Sequence, residues 1–149
     1  MRLYRYAAEK GHTESQKRLG FLYGEGGDGE NEIDLDFERS ADWHLKAARK
    51  GDRESQFEYG FACYRGLGRN QSFHEAYDWF TMAAEQGSIG SMFYLGELYR
   101  HGLGTERNLR TASKWYRRGA MNGSSYSAMQ LARMYLEGSI FSRDEEFAE

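Results

Sequence analysis

The residues best suited to chemistry in this 149-residue chain are four histidines, one cysteine, a run of carboxylates and several glycine-rich turns. His12, His44, His74 and His101 could act as bases or metal ligands. None lies four residues from another on one helix, and no carboxylate spacing completes a metal set. They are expected at the surface or at helix caps. Cys63 stands alone, so neither an internal disulfide nor a cysteine-based zinc site can form. Asp28, Glu30, Glu32, Asp34 and Asp36 have the acid density of a calcium loop. Ile33 and Arg39, however, stand where such a loop needs its glycine and its final glutamate. A solvated loop or a partner contact fits better. Gly66-Leu67-Gly68 and Gly102-Leu103-Gly104 begin like dinucleotide loops but lack the third glycine, at Gln71 and Arg107, and they follow helices rather than strands. Gly87-Ser88-Ile89-Gly90-Ser91 carries no lysine for a phosphate, and no serine sits in a nucleophile elbow. No catalytic, metal or cofactor-binding residue is assigned, no cofactor is expected, and the chain does not read as an enzyme.

The elements that carry these residues explain most of them. A content of 40% apolar and 29% charged residues belongs to a globular chain, long enough to bury a core. The net charge of −3 gives no basis for nucleic-acid capture, and no apolar run has the length of a membrane span. Eighteen glycines with no proline imply glycines at defined places rather than loose loops.

Those places form a repeat. Alanine pairs followed by a spacer and a glycine occur at Ala7-Ala8 with Gly11, Ala47-Ala48 with Gly51, and Ala83-Ala84 with Gly87. A fourth copy runs from Gly119-Ala120 to Gly123, and the closing glycines recur after 40, 36 and 36 residues. Further on in each unit come Leu19-Gly20, Tyr59-Gly60, Leu95-Gly96 and Leu131-Ala132, then Tyr23, Cys63, Tyr99 and Tyr135. Trp43, Trp79 and Trp115 precede the alanine pairs or their equivalent. Gly11, Gly51, Gly87 and Gly123 suit the left-handed position that ends a helix, and Asp52, Ser88 and Ser124 can cap the next one. Helices are therefore predicted at about 12–24, 52–65, 88–101 and 124–137, here named A. Each is followed by a helix B whose buried face holds Phe37, Trp43 and Ala47, or Phe73, Trp79 and Ala83. Glycine inside helix A costs roughly 1 kcal/mol relative to alanine, so Gly20, Gly60 and Gly96 predict close approach by a neighbouring helix. Stacked αα-hairpins make an all-α solenoid of antiparallel pairs. The whole chain, 1–149, reads as one repeat domain with junctions near 11, 51, 87 and 123.

These signatures resemble the Sel-one-like repeat family, relatives of the tetratricopeptide repeats, over roughly residues 3–138. The resemblance implies a right-handed α-solenoid of bacterial type that acts as an adaptor or interaction module. Two departures stand out: the proline usual after the glycine turn is absent from every copy, and the first loop is longer and acidic. Leu3 takes the first tryptophan position and 139–149 begins a helix without completing it. The expectation is a piece of a longer repeat protein, or a short one with unusual ends. No signal peptide is visible, which favours the cytoplasm; a periplasmic setting stays open for a trimmed chain.

Scaffold positions should repeat, whereas a recognition surface should vary between copies. The resemblance places helix A on the concave groove. Its varied positions are Glu14, Lys17, Phe21 and Gly24; Glu54, Phe57, Phe61 and Tyr64; Gly90, Phe93, Glu97 and Arg100; and Tyr126, Met129, Arg133 and Leu136. From these, Phe57, Phe61, Tyr64, Phe93, Glu97, Arg100, Tyr126, Met129 and Arg133 are the partner-binding candidates, being aromatic anchors with arginine at the edge. Phe57 and Phe93 read equally well as inter-repeat packing. The leading expectation is a protein or peptide bound in the groove. Changing Phe61 and Arg100 together should then weaken binding without altering helicity or melting. A narrower alternative is an immunity protein neutralising one cognate toxin; a remote one is a metal-dependent enzyme using the acidic loop.

Overall fold

The computed structural model describes residues 2–27 and 33–139. Among them the chain forms eight α-helices: α1 (Arg2–Glu9), α2 (Thr13–Glu25), α3 (Phe37–Arg49), α4 (Arg53–Arg65), α5 (Phe73–Glu85), α6 (Ile89–His101), α7 (Leu109–Met121) and α8 (Ser125–Leu136). The A helices are α2, α4, α6 and α8; the B helices are α1, α3, α5 and α7. The A helices α2, α4 and α6 each pack on the B helix that follows, and each B helix on the next A helix, which is an α-solenoid. The described part of the acidic loop is Asp34 and Asp36; Asp28, Glu30 and Glu32 lie outside the described residues, as does the chain beyond Ser139.

Local chemistry sets the ends of these helices. The side chains of Asp52, Ser88 and Ser124 accept hydrogen bonds from the backbone N–H of Ser55, Ser91 and Ser127, as helix caps do. His12 does the same for Ser15 at 3.3 Å. The B helices α3, α5 and α7 are capped by Asp36, Ser72 and Asn108. The backbone N–H of each of these three also donates to a carbonyl near the end of the preceding A helix, at Tyr23, Cys63 and Tyr99, each at 2.9 Å. The longer first loop thus lands on the same latch as the short ones.

The core runs along the hairpin seams, through Leu19, Leu22, Tyr23, Tyr59, Cys63, Phe80, Leu95, Leu98 and Tyr116. Three expectations need correction. The tryptophans are only half-buried against the core; the residue after each one, His44, Phe80 and Tyr116, is the fully buried aromatic of helix B. That residue faces the interior glycine of the preceding A helix. A Cβ on Gly20, Gly60 or Gly96 would lie 2.7, 3.0 or 2.4 Å from the ring of His44, Phe80 or Tyr116. The close approach predicted from these glycines is therefore real, and its agent is this ring. His44 is accordingly neither a surface nor a capping histidine but 4% exposed. Phe37, expected on a buried face, is 42% exposed at the start of α3.

Candidate interaction surface

The varied positions of α4, α6 and α8 meet one another on one side of these helices, here called the inner face. Phe57 and Phe61 project from successive turns of α4, with ring centroids 6.3 Å apart. Tyr64, a turn further on, meets Phe73 at 5.5 Å. The centre of this group is Tyr94 of α6, which lies 6.1 Å from Phe57, 5.6 Å from Phe61, 5.0 Å from Tyr64 and 5.1 Å from Phe93. Phe93 in turn lies 6.0 Å from Tyr126 of α8. The chain thus brings Phe57, Phe61, Tyr64, Phe93 and Tyr126 into one continuous aromatic tract.

Sequence reasoning missed Tyr94. The signal was present: its position, seven residues after the junction glycine, holds Arg18, Glu58, Tyr94 and Gln130 in successive copies. It varies as much as any candidate.

The members of the tract differ in what they leave free. Phe57 and Phe93 are half-buried, and the Phe57 ring would lie 2.9 Å from a Cβ on Gly90, so it packs closely on the next A helix. Phe61 and Tyr64 are also half-buried, and Arg65 stands 5.9 Å above the Phe61 ring. Burial raises the pKa of Tyr64 and of Tyr94, with the Glu97 carboxylate adding to both. Tyr126 and Met129 are 71% and 57% exposed, and Arg133 is exposed beside them.

Two of the three charged candidates, Glu97 and Arg100, are engaged inside the chain. Glu97 accepts a 2.5 Å hydrogen bond from the Tyr116 hydroxyl, and burial together with this carboxylate raises the Tyr116 pKa strongly. Arg100 donates to Gln130 at 2.7 Å and to Glu137 at 3.2 Å, fastening α6 to α8. A change at Arg100 therefore acts on packing as well as on any partner.

The remaining chemical residues fall apart from one another. Cys63 is buried, its Sγ 3.7 Å from a Glu75 carboxylate oxygen, and burial pushes its thiol up to about 11. Among the described residues no group of three His, Cys, Asp or Glu side chains is placed to hold a metal ion, and no helix is long and apolar enough to cross a membrane.

Among the described residues, an all-helical stack of antiparallel hairpins defines the class as a repeat scaffold. The chain belongs to the Sel1 repeat family, whose repeat model matches residues 1–12, 13–52, 53–88, 89–124 and 125–149. A protective antigen of uropathogenic Escherichia coli with an SLR fold is similar at 32% identity and a TM-score of 0.83, over 91% of this chain and 28% of that one. A Sel1 repeat protein from Oxalobacter formigenes is similar at 30% identity and a TM-score of 0.76, over 87% of this chain and 51% of that one. Helicobacter pylori cysteine rich protein B, at 15% identity and a TM-score of 0.62, shares the fold over 87% of this chain and 90% of its own. The chain spans well under two thirds of the first two relatives. Comparison with curated protein sequences finds no match. Sel1 repeat proteins are in general protein-interaction modules.

Proposed function

We propose that the inner face of α4, α6 and α8 binds a segment of a partner protein, so that the chain works as an adaptor or as part of one. The observation that carries this is the division of labour between positions. Side chains that recur fill the seams, while those that vary line one face and end in the exposed Tyr126, Met129 and Arg133. Aromatic residues and arginine are the types that dominate binding energy at protein interfaces.

Phe61 and Arg100 are poor probes, because both hold the fold together. Tyr126→Ala with Arg133→Glu makes the cleaner variant, since both side chains are exposed. In affinity capture from the source organism, the parent chain retains a discrete protein and this variant loses it by about tenfold or more. A control change at exposed Lys114, on the outer helix α7, leaves capture intact. Helicity and melting stay unchanged in both. Full retention by the double variant rules the reading out.

A further inference from the structure

The first two repeats part from the pattern at the place where rings close the next junction. Around α4, α5 and α6, Tyr94 stacks on Phe80 at 5.2 Å and 12°, and Tyr64 meets Tyr94 at 5.0 Å and Phe80 at 6.3 Å. In the repeat register, Gly24, His44 and Glu58 hold these three positions one junction earlier. Three rings are exchanged for a hydrogen, an imidazole and a carboxylate. The space that rings fill in one junction is open in the other, as a cleft of about 240 Å³ between α2, α3 and α4. Small-molecule sites run to about 300–1,000 Å³, so this cleft has the size of a single side chain.

Its lining combines two chemistries. Phe21, Phe37 and Phe61 supply aromatic wall, and Glu25 and Glu58 supply carboxylates. Among the described residues neither carboxylate has an ion pair or a hydrogen bond. Lys17 is already shared among Glu14, Asp52 and Glu54 at 3.3–3.4 Å. His44 lines the cleft while 4% exposed, and among the described residues its Nδ1 meets no hydrogen-bond partner. Burial holds His44 down to about 4, so the neutral ring brings no counter-charge. Burial, with Glu54 and Glu25 nearby, pushes Glu58 up to about 7. An apolar recess holding unneutralised carboxylate and an unpaired buried imidazole lacks a cationic occupant.

We propose that this cleft anchors an arginine side chain carried by the bound protein segment. The guanidinium is planar and weakly hydrated, stacks on aromatic faces, and pairs with carboxylates through paired hydrogen bonds. Lysine, a compact and strongly hydrated charge, has less to gain from three phenylalanines. The assignment rests on the inner face being the recognition surface and names the chemistry of one of its anchors.

The test uses the full chain, ¹⁵N-labelled, with Nα-acetyl-arginine amide as the probe. The probe gives saturable amide shifts centred on Gly20, Gly24, Ala41 and Ala62. Nα-acetyl-citrulline amide, its uncharged counterpart, binds about tenfold more weakly, and Glu58→Gln weakens the arginine probe by a similar factor. Binding tightens from about pH 6 to about pH 8 as Glu58 ionises beside Glu25 of α2, His44 of α3 and Glu54 of α4. The double variant His44→Phe with Glu58→Tyr rebuilds the ring pair of the next junction; it folds and does not bind. An absence of saturable shifts, equal binding of the citrulline or lysine analogue, or undiminished binding to Glu58→Gln each overturns the proposal. The probe needs no partner, so its failure is separate from that of the groove reading, which the Tyr126 and Arg133 variant decides.

Discussion

One position after each tryptophan, His44, Phe80 and Tyr116 lay a ring against a glycine of the preceding A helix. The contact is tight enough to decide the sign of a substitution. Gly96→Ala would gain roughly 1 kcal/mol of helix propensity but set a Cβ 2.4 Å from the buried Tyr116 ring, and overpacking costs typically about 1–3 kcal/mol. A net loss in urea unfolding is expected; a net gain would mean the ring can move away. Ala132, at the same position in α8, is exposed and among the described residues meets no such ring.

His44 and Glu58 make the pH dependence of stability a residue-level signature. The folded pKa of His44 lies below its ordinary 6.5, at about 4. Its contribution is present above about 6.5 and is lost as pH falls towards 4. The folded pKa of Glu58 lies above its ordinary 4.5, at about 7, so its contribution is present below about 4.5 and is lost as pH rises through 7. The two slopes oppose each other. Relative to the parent, the melting temperature of Glu58→Gln rises between about pH 5 and 8, whereas that of His44→Phe gains most below about pH 5 and converges by about 7. Parallel curves for all three chains would contradict the burial of both groups. Neither role was legible residue by residue. A lone histidine and a lone glutamate look like surface residues until the repeat register shows that rings hold their positions elsewhere.

At the scale of the element, helix ends were the most legible feature, because capping is local chemistry. Asp52, Ser88 and Ser124 cap as their types predict, and the predicted A helices fall within a residue or two of those observed. The tryptophans were harder, since adjacent positions on a helix are only about 100° apart and periodicity alone does not say which aromatic points deepest. The turns carry a second constraint. Gly104 has φ +72°, and a Cβ there would lie 2.3 Å from the Phe73 carbonyl oxygen of the preceding B helix. Gly68 stands the same way against Phe37. Gly104→Ala therefore meets a left-handed backbone and a backbone wall together, and should cost about 2 kcal/mol or more in denaturant unfolding. A neutral result would show that the repeats need not approach so closely here.

At the scale of the whole molecule, a stack of hairpins packs each repeat only against its neighbours in the stack. The recurring residues build the stack, so the fold could be read from their spacing. The proposed recognition face is written only in what fails to recur, and such a signal names a surface without ranking its members. That is why Tyr94, the hub of the aromatic tract, escaped notice, while Glu97 and Arg100, which the chain uses internally, looked available. It is also why the cleft at the first junction came into view only when two junctions could be compared.

The central claim is that partners are met on this inner face. Photo-crosslinking with benzoylphenylalanine, placed singly at Tyr126, Met129 and Arg133 and, as controls, at exposed Asp78 and Lys114 of the B helices, tests it most directly. The inner positions should each yield an adduct with one and the same protein, and the controls none. Adducts of equal yield at the B-helix positions, or none at the inner ones, would contradict the account.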